Sequence, residues 1–194
     1  LKAAGWPHGN TEDFLRVVRN ESGLLTGWGQ EYYGFMHLGF QEYLAALEMQ
    51  NNYHFHPQVL NDLASRFGQS WWQEVTLLLL ALDNPCLFEQ FMRVLVHQPG
   101  FTQYPELVEM CLDDAAEKPV LPFLELLQED PGKDSGHWQR QLAALKLVER
   151  LDNEALTGLI EQLTRHPYGK IRQRLGQRAA GEQHVGQRAP EGHR

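Results

Sequence analysis

From Phe40 to Leu175, apolar side chains recur at the three-and-four spacing of a helix face, and prolines, asparagines and glycines punctuate the pattern. Phe40, Tyr43, Leu44 and Leu47 stand at i, i+3, i+4 and i+7 and read as one core-facing stripe. Pro57 suits the first turn of a helix presenting Leu60, Leu63 and Phe67. Ser70 and Gln73 have the spacing of a capping box opening Trp71 to Leu82, a segment apolar nearly all round and therefore expected at the centre. Asn84-Pro85 introduces Phe88, Phe91, Met92 and Leu95. Pro105 introduces Leu107, Met110 and Cys111, and Pro119 and Pro122 introduce Phe123, Leu124 and Leu127. After a loop over Asp130 to Gly136, three more helices are predicted. They hold Trp138 to Leu151, then Leu156 to Leu163 with Asn153 as cap, then Ile171 and Leu175 after Pro167. Short links between amphipathic helices of similar length predict a HEAT-like array in style, without a strict repeat period.

One segment departs from this pattern. Glu12 to Asn20 reads as a short helix with Thr11 as N-cap, and Ser22-Gly23 ends it. Leu24-Leu25-Thr26 and Glu31 to Phe35 are strand-like, with Gly27 to Gln30 as the turn between them. Helix, small hairpin, helix is the outline of a wing. The expected fold class is therefore mainly α: the end of a winged helix with one small β-hairpin, followed by the helical array. The expected domains are 1–50 for the winged helix, 51–180 for the helical arm and 181–194 for a disordered tail, whose only strongly apolar residue is Val185. The chain opens on Leu1 rather than Met, as a segment of a longer protein would.

Charge narrows the possible partners. The net formal charge is −8, yet the seven basic and two acidic residues from Arg165 onward give that end +5, leaving −13 for residues 1–164. An acidic body repels phosphates, and no basic recognition helix precedes the hairpin, so a nucleic-acid partner is disfavoured. The basic end reads as a solvated helix end with a tail. The longest apolar run, Val75 to Leu82, falls far short of the roughly 20 residues that span a bilayer, so no membrane partner is expected. The N-terminus has no apolar core of a signal peptide. Cys86 and Cys111 form no paired-ligand motif, which fits a cytoplasmic setting.

Tyr33-Gly34-Phe35-Met36-His37-Leu38-Gly39-Phe40-Gln41-Glu42-Tyr43-Leu44-Ala45-Ala46 resembles the end of the winged-helix domain of NACHT-family STAND NTPases. That family carries a Gly-Leu-Leu strand (here Gly23-Leu24-Leu25), a wing, and then Y-x-F-x-H-x-x-F-Q-E-Y-L-A-A. Ten of the fourteen positions match, polar as well as apolar. Trp72, Glu74, Val75 and Leu78 also resemble the W-x-E-V-x-x-L helix that follows in many such proteins, which carries the resemblance to about residue 82. Spacing alone leaves His37 open between a histidine satisfied within the wing and a donor aimed outward. The resemblance implies the second role, a contact with the ADP β-phosphate that holds the inactive form closed. It also implies an upstream nucleotide-binding domain in cis, which carries ADP or ATP with Mg²⁺, and a helical arm that relays ligand recognition into oligomerisation or protein contacts. In that family, such switches act in innate immunity and anti-phage defence.

The catalytic parts of that family do not appear. No G-x-x-x-x-G-K-[ST] occurs, and Gly132-Lys133 stands alone in a loop. The chain is therefore expected to be no enzyme and to hold no cofactor by itself. The other constellations have plainer readings. His54 and His56 lack further metal ligands nearby in sequence, and His97, His137 and His166 sit at helix ends. Ser22, Ser70 and Ser135 lack a nucleophile elbow, and Glu42 and Glu74 read as helix residues rather than catalytic acids. Trp71-Trp72 is expected to pack the wing against the first arm helix. A free-standing helical scaffold for protein–protein contact is the alternative.

Overall fold

The computed structural model describes residues 11–18, 23–28, 32–130, 136–151, 165 and 169–173. The expected tail, the helix over 156–163 with its Asn153 cap, Pro167, His166 and Leu175 lie outside the described residues. In chain order the elements are α1 (Thr11–Val17), β1 (Leu25–Trp28), β2 (Tyr32–Phe35), α2 (Leu38–Asn52), α3 (Val59–Ser65) and α4 (Ser70–Ala81). Then follow α5 (Phe88–Leu95), α6 (Gly100–Gln103), α7 (Pro105–Asp114), α8 (Leu121–Gln128) and α9 (His137–Leu151). Residues 169–173 are also helical.

The hairpin is longer than the sequence pattern predicts. Gly27 and Trp28, expected in the turn, pair with Tyr33 and Tyr32 in an antiparallel ladder that begins at Leu25↔Phe35. Backbone pairing decides this, because a two-stranded ribbon satisfies every N–H it can reach before it turns.

Two rows of helices run along the chain. α2 packs on α4 and α4 on α7; α3 packs on α5 and α5 on α8, against which α9 closes. Alternate helices of successive pairs thus stack on their own kind, the layering of a helix-pair array. The side chains between the rows form one continuous cluster from Ala46 to Ile171, with Phe88, Phe91, Phe101 and Phe123 fully buried. α4 is central, as its composition predicts, and buries Val75, Leu77, Leu79 and Leu80. Its one buried hydroxyl, on Thr76, donates to the Trp72 carbonyl at 2.7 Å. Gly68 turns the chain from α3 into α4 at φ +91°, and a Cβ there would collide with the Tyr104 ring.

The phase of α2 overturns the predicted core stripe. Phe40, Tyr43 and Leu44 are exposed, while Ala46, Met49, Gln50 and Tyr53 turn toward the body, again at i, i+3, i+4 and i+7. The two stripes start six residues apart, about 600° of helical rotation and so about 240° around the cylinder. Ala46 explains the choice: its small side chain lets α2 approach α4 closely, and it is wholly buried there. Gln50 is tolerated in the seam because its amide donates to the Pro85 carbonyl at 2.8 Å.

Smaller corrections follow the same physics. Ser70 is the first helical residue of α4 and Gln69 its N-cap, and no side chain caps it. Gln73 instead reaches back to the Gly68 carbonyl at 3.4 Å. Trp71 is exposed, whereas Trp72 is half-buried beneath Arg66, whose guanidinium lies 4.8 Å from the ring centre. Trp71 therefore stands open to solvent, while Trp72 packs on the core cluster. Asn84-Pro85 precedes α5 by a short loop rather than starting it, and Met110 is exposed beside buried Leu107 and Cys111. His137 opens α9 and is buried, not solvated at a helix C-terminus.

Polar ties fasten the last helices. Gln141, fully buried on α9, donates to the Leu126 and Glu129 carbonyls, both at 3.0 Å, and so supplies partners that the end of α8 lacks. Arg93 on α5 bridges Glu89 at 2.8 Å and also pairs with Glu125 on α8, and the two carboxylates push its guanidinium pKa further up.

Cysteine burial gives a direct test of this core. Desolvation, with Asp114 adding to it, pushes the Cys111 thiol from 9.0 up to about 12. As pH rises through 9.0 the thiol of the unfolded chain ionises, whereas the folded chain keeps its proton. Cys111 therefore favours the folded state fully below pH 9.0, and stability is lost as pH rises toward about 12. Alkylation at pH 8 is expected to label half-buried Cys86 first and Cys111 only on denaturation; equal rates for both would contradict its burial.

Candidate functional site

His37 sits at the junction that the wing prepares. The Met36 N–H donates to the Leu24 carbonyl at 3.0 Å, closing the base of the hairpin beyond the Leu25–Phe35 pair. The chain then crosses His37 in an extended conformation, φ −124° and ψ 130°, and enters α2 at Leu38. An extended N-cap residue projects its side chain off the helix end rather than along the cylinder. The His37 residue is exposed, and its imidazole lies near the Phe40 ring, centroids 6.2 Å apart and tilted.

The start of α2 is electrostatically open. No side chain caps it and no acidic residue stands in its first turn. The His37 carbonyl accepts from the Phe40 N–H at 3.2 Å, so it is the Leu38 and Gly39 N–H groups that stand at the positive end of the helix dipole. A Cβ built on Gly39 would meet nothing within 4 Å, so space beside these donors is clear. An imidazole and free backbone N–H groups at one helix end suit an anion.

An apolar collar surrounds this end. Met36 and Leu38 are each 56% exposed, and Phe40, Tyr43 and Leu44 over 40%. Five large apolar residues within nine positions make more exposed grease than scattered surface residues normally do, which marks a contact face. Glu42 is half-buried on the same helix.

Residues 8–49 match the family model described as the winged helix-turn-helix domain C-terminal to NACHT. That segment, a minor part of the 194-residue chain, is thus similar to a winged-helix domain found after NACHT. No curated protein and no solved structure gives a match to the chain. The NACHT-associated winged helix thus spans α1, the hairpin and most of α2, with His37 inside it. The family description places such a domain C-terminal to NACHT, which implies an upstream NACHT domain in cis. The helices from α3 onward form the helical part that follows the winged helix.

The remaining candidate residues are not brought together. His54 and His56 are exposed on the loop between α2 and α3, and no group of three or more His, Cys, Asp or Glu is poised for a metal among the described residues. Glu74 is exposed on α4. Within the described residues no helix is long and apolar enough to cross a membrane. Sequence reasoning misses one polar cluster: Glu129 lies between His97 at 3.6 Å and buried His137 at 4.0 Å. These three residues are far apart in sequence, and only the packing of α5, α8 and α9 assembles them.

Proposed function

We propose that this chain is the regulatory and sensing segment of a NACHT-type STAND ATPase, a switch of innate-immune or anti-phage defence working in the cytoplasm. The nucleotide is held by the upstream domain with Mg²⁺, and His37 contacts the β-phosphate of ADP from the winged-helix side. The helical arm passes ligand recognition on to oligomerisation. The observation that carries this reading is His37 exposed at an uncapped helix start inside the NACHT-associated winged helix. The apolar collar beside it supports a domain seated there in the closed state. A closed and an open state then differ in which of these contacts exist, as a two-state switch needs.

Hydrolysis belongs upstream in this reading. One imidazole and a single helix end do not replace a cradle of backbone N–H groups with its lysine and metal. Isothermal titration of the chain with Mg-ADP is expected to give no saturable heat. A saturable site of micromolar affinity would sink the assignment of His37 as a contact made only with the nucleotide domain present. A free-standing helical scaffold is the second reading, favoured by the two stacked rows from α2 to α9.

A further inference from the structure

We propose that the face of α9 carries a binding groove for an acidic, amphipathic peptide segment of a partner protein. A cleft of about 560 Å³ runs between α9 and the α6–α7 corner among the described residues. Its α9 wall is made by Trp138, Leu142, Ala143, Lys146 and Leu147, two adjacent rows of one helix face. From residue 138 to 147 that wall extends roughly 14 Å at 1.5 Å per residue. The opposite wall is Pro105, Val108 and Glu109 of α7, at i, i+3 and i+4. Fully buried Phe101 forms the floor, fixed by stacking on Phe123 at 6.3 Å. An elongated, apolar trough between two helices takes the apolar side of a helix or an extended strip better than a compact small molecule.

Charge chooses the class of occupant. Lys146 stands exposed on the rim, and the Lys170 ammonium lies 4.6 Å from the centre of the Trp138 ring, capping one end of the trough. Among the described lining residues the one acid is Glu109, which faces Arg150 at 3.7 Å, a guanidinium that also holds Asp113 at 2.6 Å. Among the described lining residues the trough therefore presents two lysines against one glutamate, on a chain whose residues 1–164 carry −13. An acidic segment is repelled by the body elsewhere and finds complementary charge here, which fixes where and in which register it docks. Its apolar anchors fill the space over Phe101 and beside Trp138, and its carboxylates meet Lys146 and Lys170. This groove lies on the helical arm, so it stands independently of the role proposed for His37.

The test uses the full chain and a fluorescein-labelled peptide of about 15 residues, with Leu and Phe at i, i+3, i+4 and i+7 and Glu at the flanking positions. A matched peptide carrying Lys for Glu is the control, and anisotropy reads binding. Saturable binding of the Glu peptide is expected, weakened by added salt and reduced roughly tenfold by the K146E/K170E double variant. Both positions are exposed, and circular dichroism of the variant should match the parent. Absence of saturable binding, equal affinity for the Lys peptide, or indifference to the double reversal would overturn the proposal. Self-association that the double reversal abolishes, with no peptide bound, would give the groove to a second copy and equally overturn it.

Discussion

Phe91→Ala should lower stability by about 3–5 kcal/mol, whereas Phe40→Ala should change it by about 1 kcal/mol or less. Both residues are phenylalanines on apolar helical stripes, so side-chain chemistry alone does not separate them. Phe91 is wholly buried on α5 between the two helix rows, with the Phe67 ring 6.2 Å away. Truncation there removes transfer free energy and leaves a cavity in the cluster beside the Phe67 ring. Phe40 is 43% exposed and leaves no enclosed void when it is cut back. Urea unfolding of the two variants and the parent chain measures the difference. Equal losses would mean that the collar of α2 packs in the core of this chain and is not a free contact face.

His37→Ala, made in a protein that also carries the upstream NACHT domain, should reduce the ADP retained per protomer by about an order of magnitude or more. A charge-assisted hydrogen bond to phosphate is worth about 1.5–3 kcal/mol when it is lost without replacement. The fold should be indifferent, since the residue is exposed and its ring lies beside that of Phe40, itself exposed. Loss of the contact also removes a difference in free energy between the closed and open forms, so the same variant should oligomerise more readily. Nucleotide extracted from the purified protein and quantified by chromatography gives the occupancy. Unchanged occupancy together with a destabilised winged helix would make His37 a structural residue of the wing.

The parts legible in the sequence are those where several kinds of signal agree. The hairpin and the entry into α2 combine strand residues, turn residues and a polar pattern, and His37 lies where that pattern places it. Pro105 and Pro122 mark the starts of α7 and α8, because a proline fits only where its missing N–H is not needed. The phase of α2 was harder to read. Large apolar residues dominate any count of hydrophobic pattern, while the buried seam is led by Ala46 and includes Gln50. Those residues are inside because α4 approaches closely and a carbonyl is available, facts of tertiary packing that periodicity does not encode. The conspicuous aromatic stripe is then left outside, which is expected when a local rule fails at a contact site. Buried Gln141 and His137 escape detection for the same reason, since both are polar residues housed by neighbours distant in the chain.

The most direct measurement of the central claim is an ADP-bound structure of a protein containing both the NACHT domain and this chain. The prediction is a His37 ring nitrogen about 2.7–3.2 Å from a β-phosphate oxygen, with Phe40 and Tyr43 covered by the nucleotide domain. A structure in which His37 and the start of α2 face solvent while ADP is bound elsewhere would contradict it.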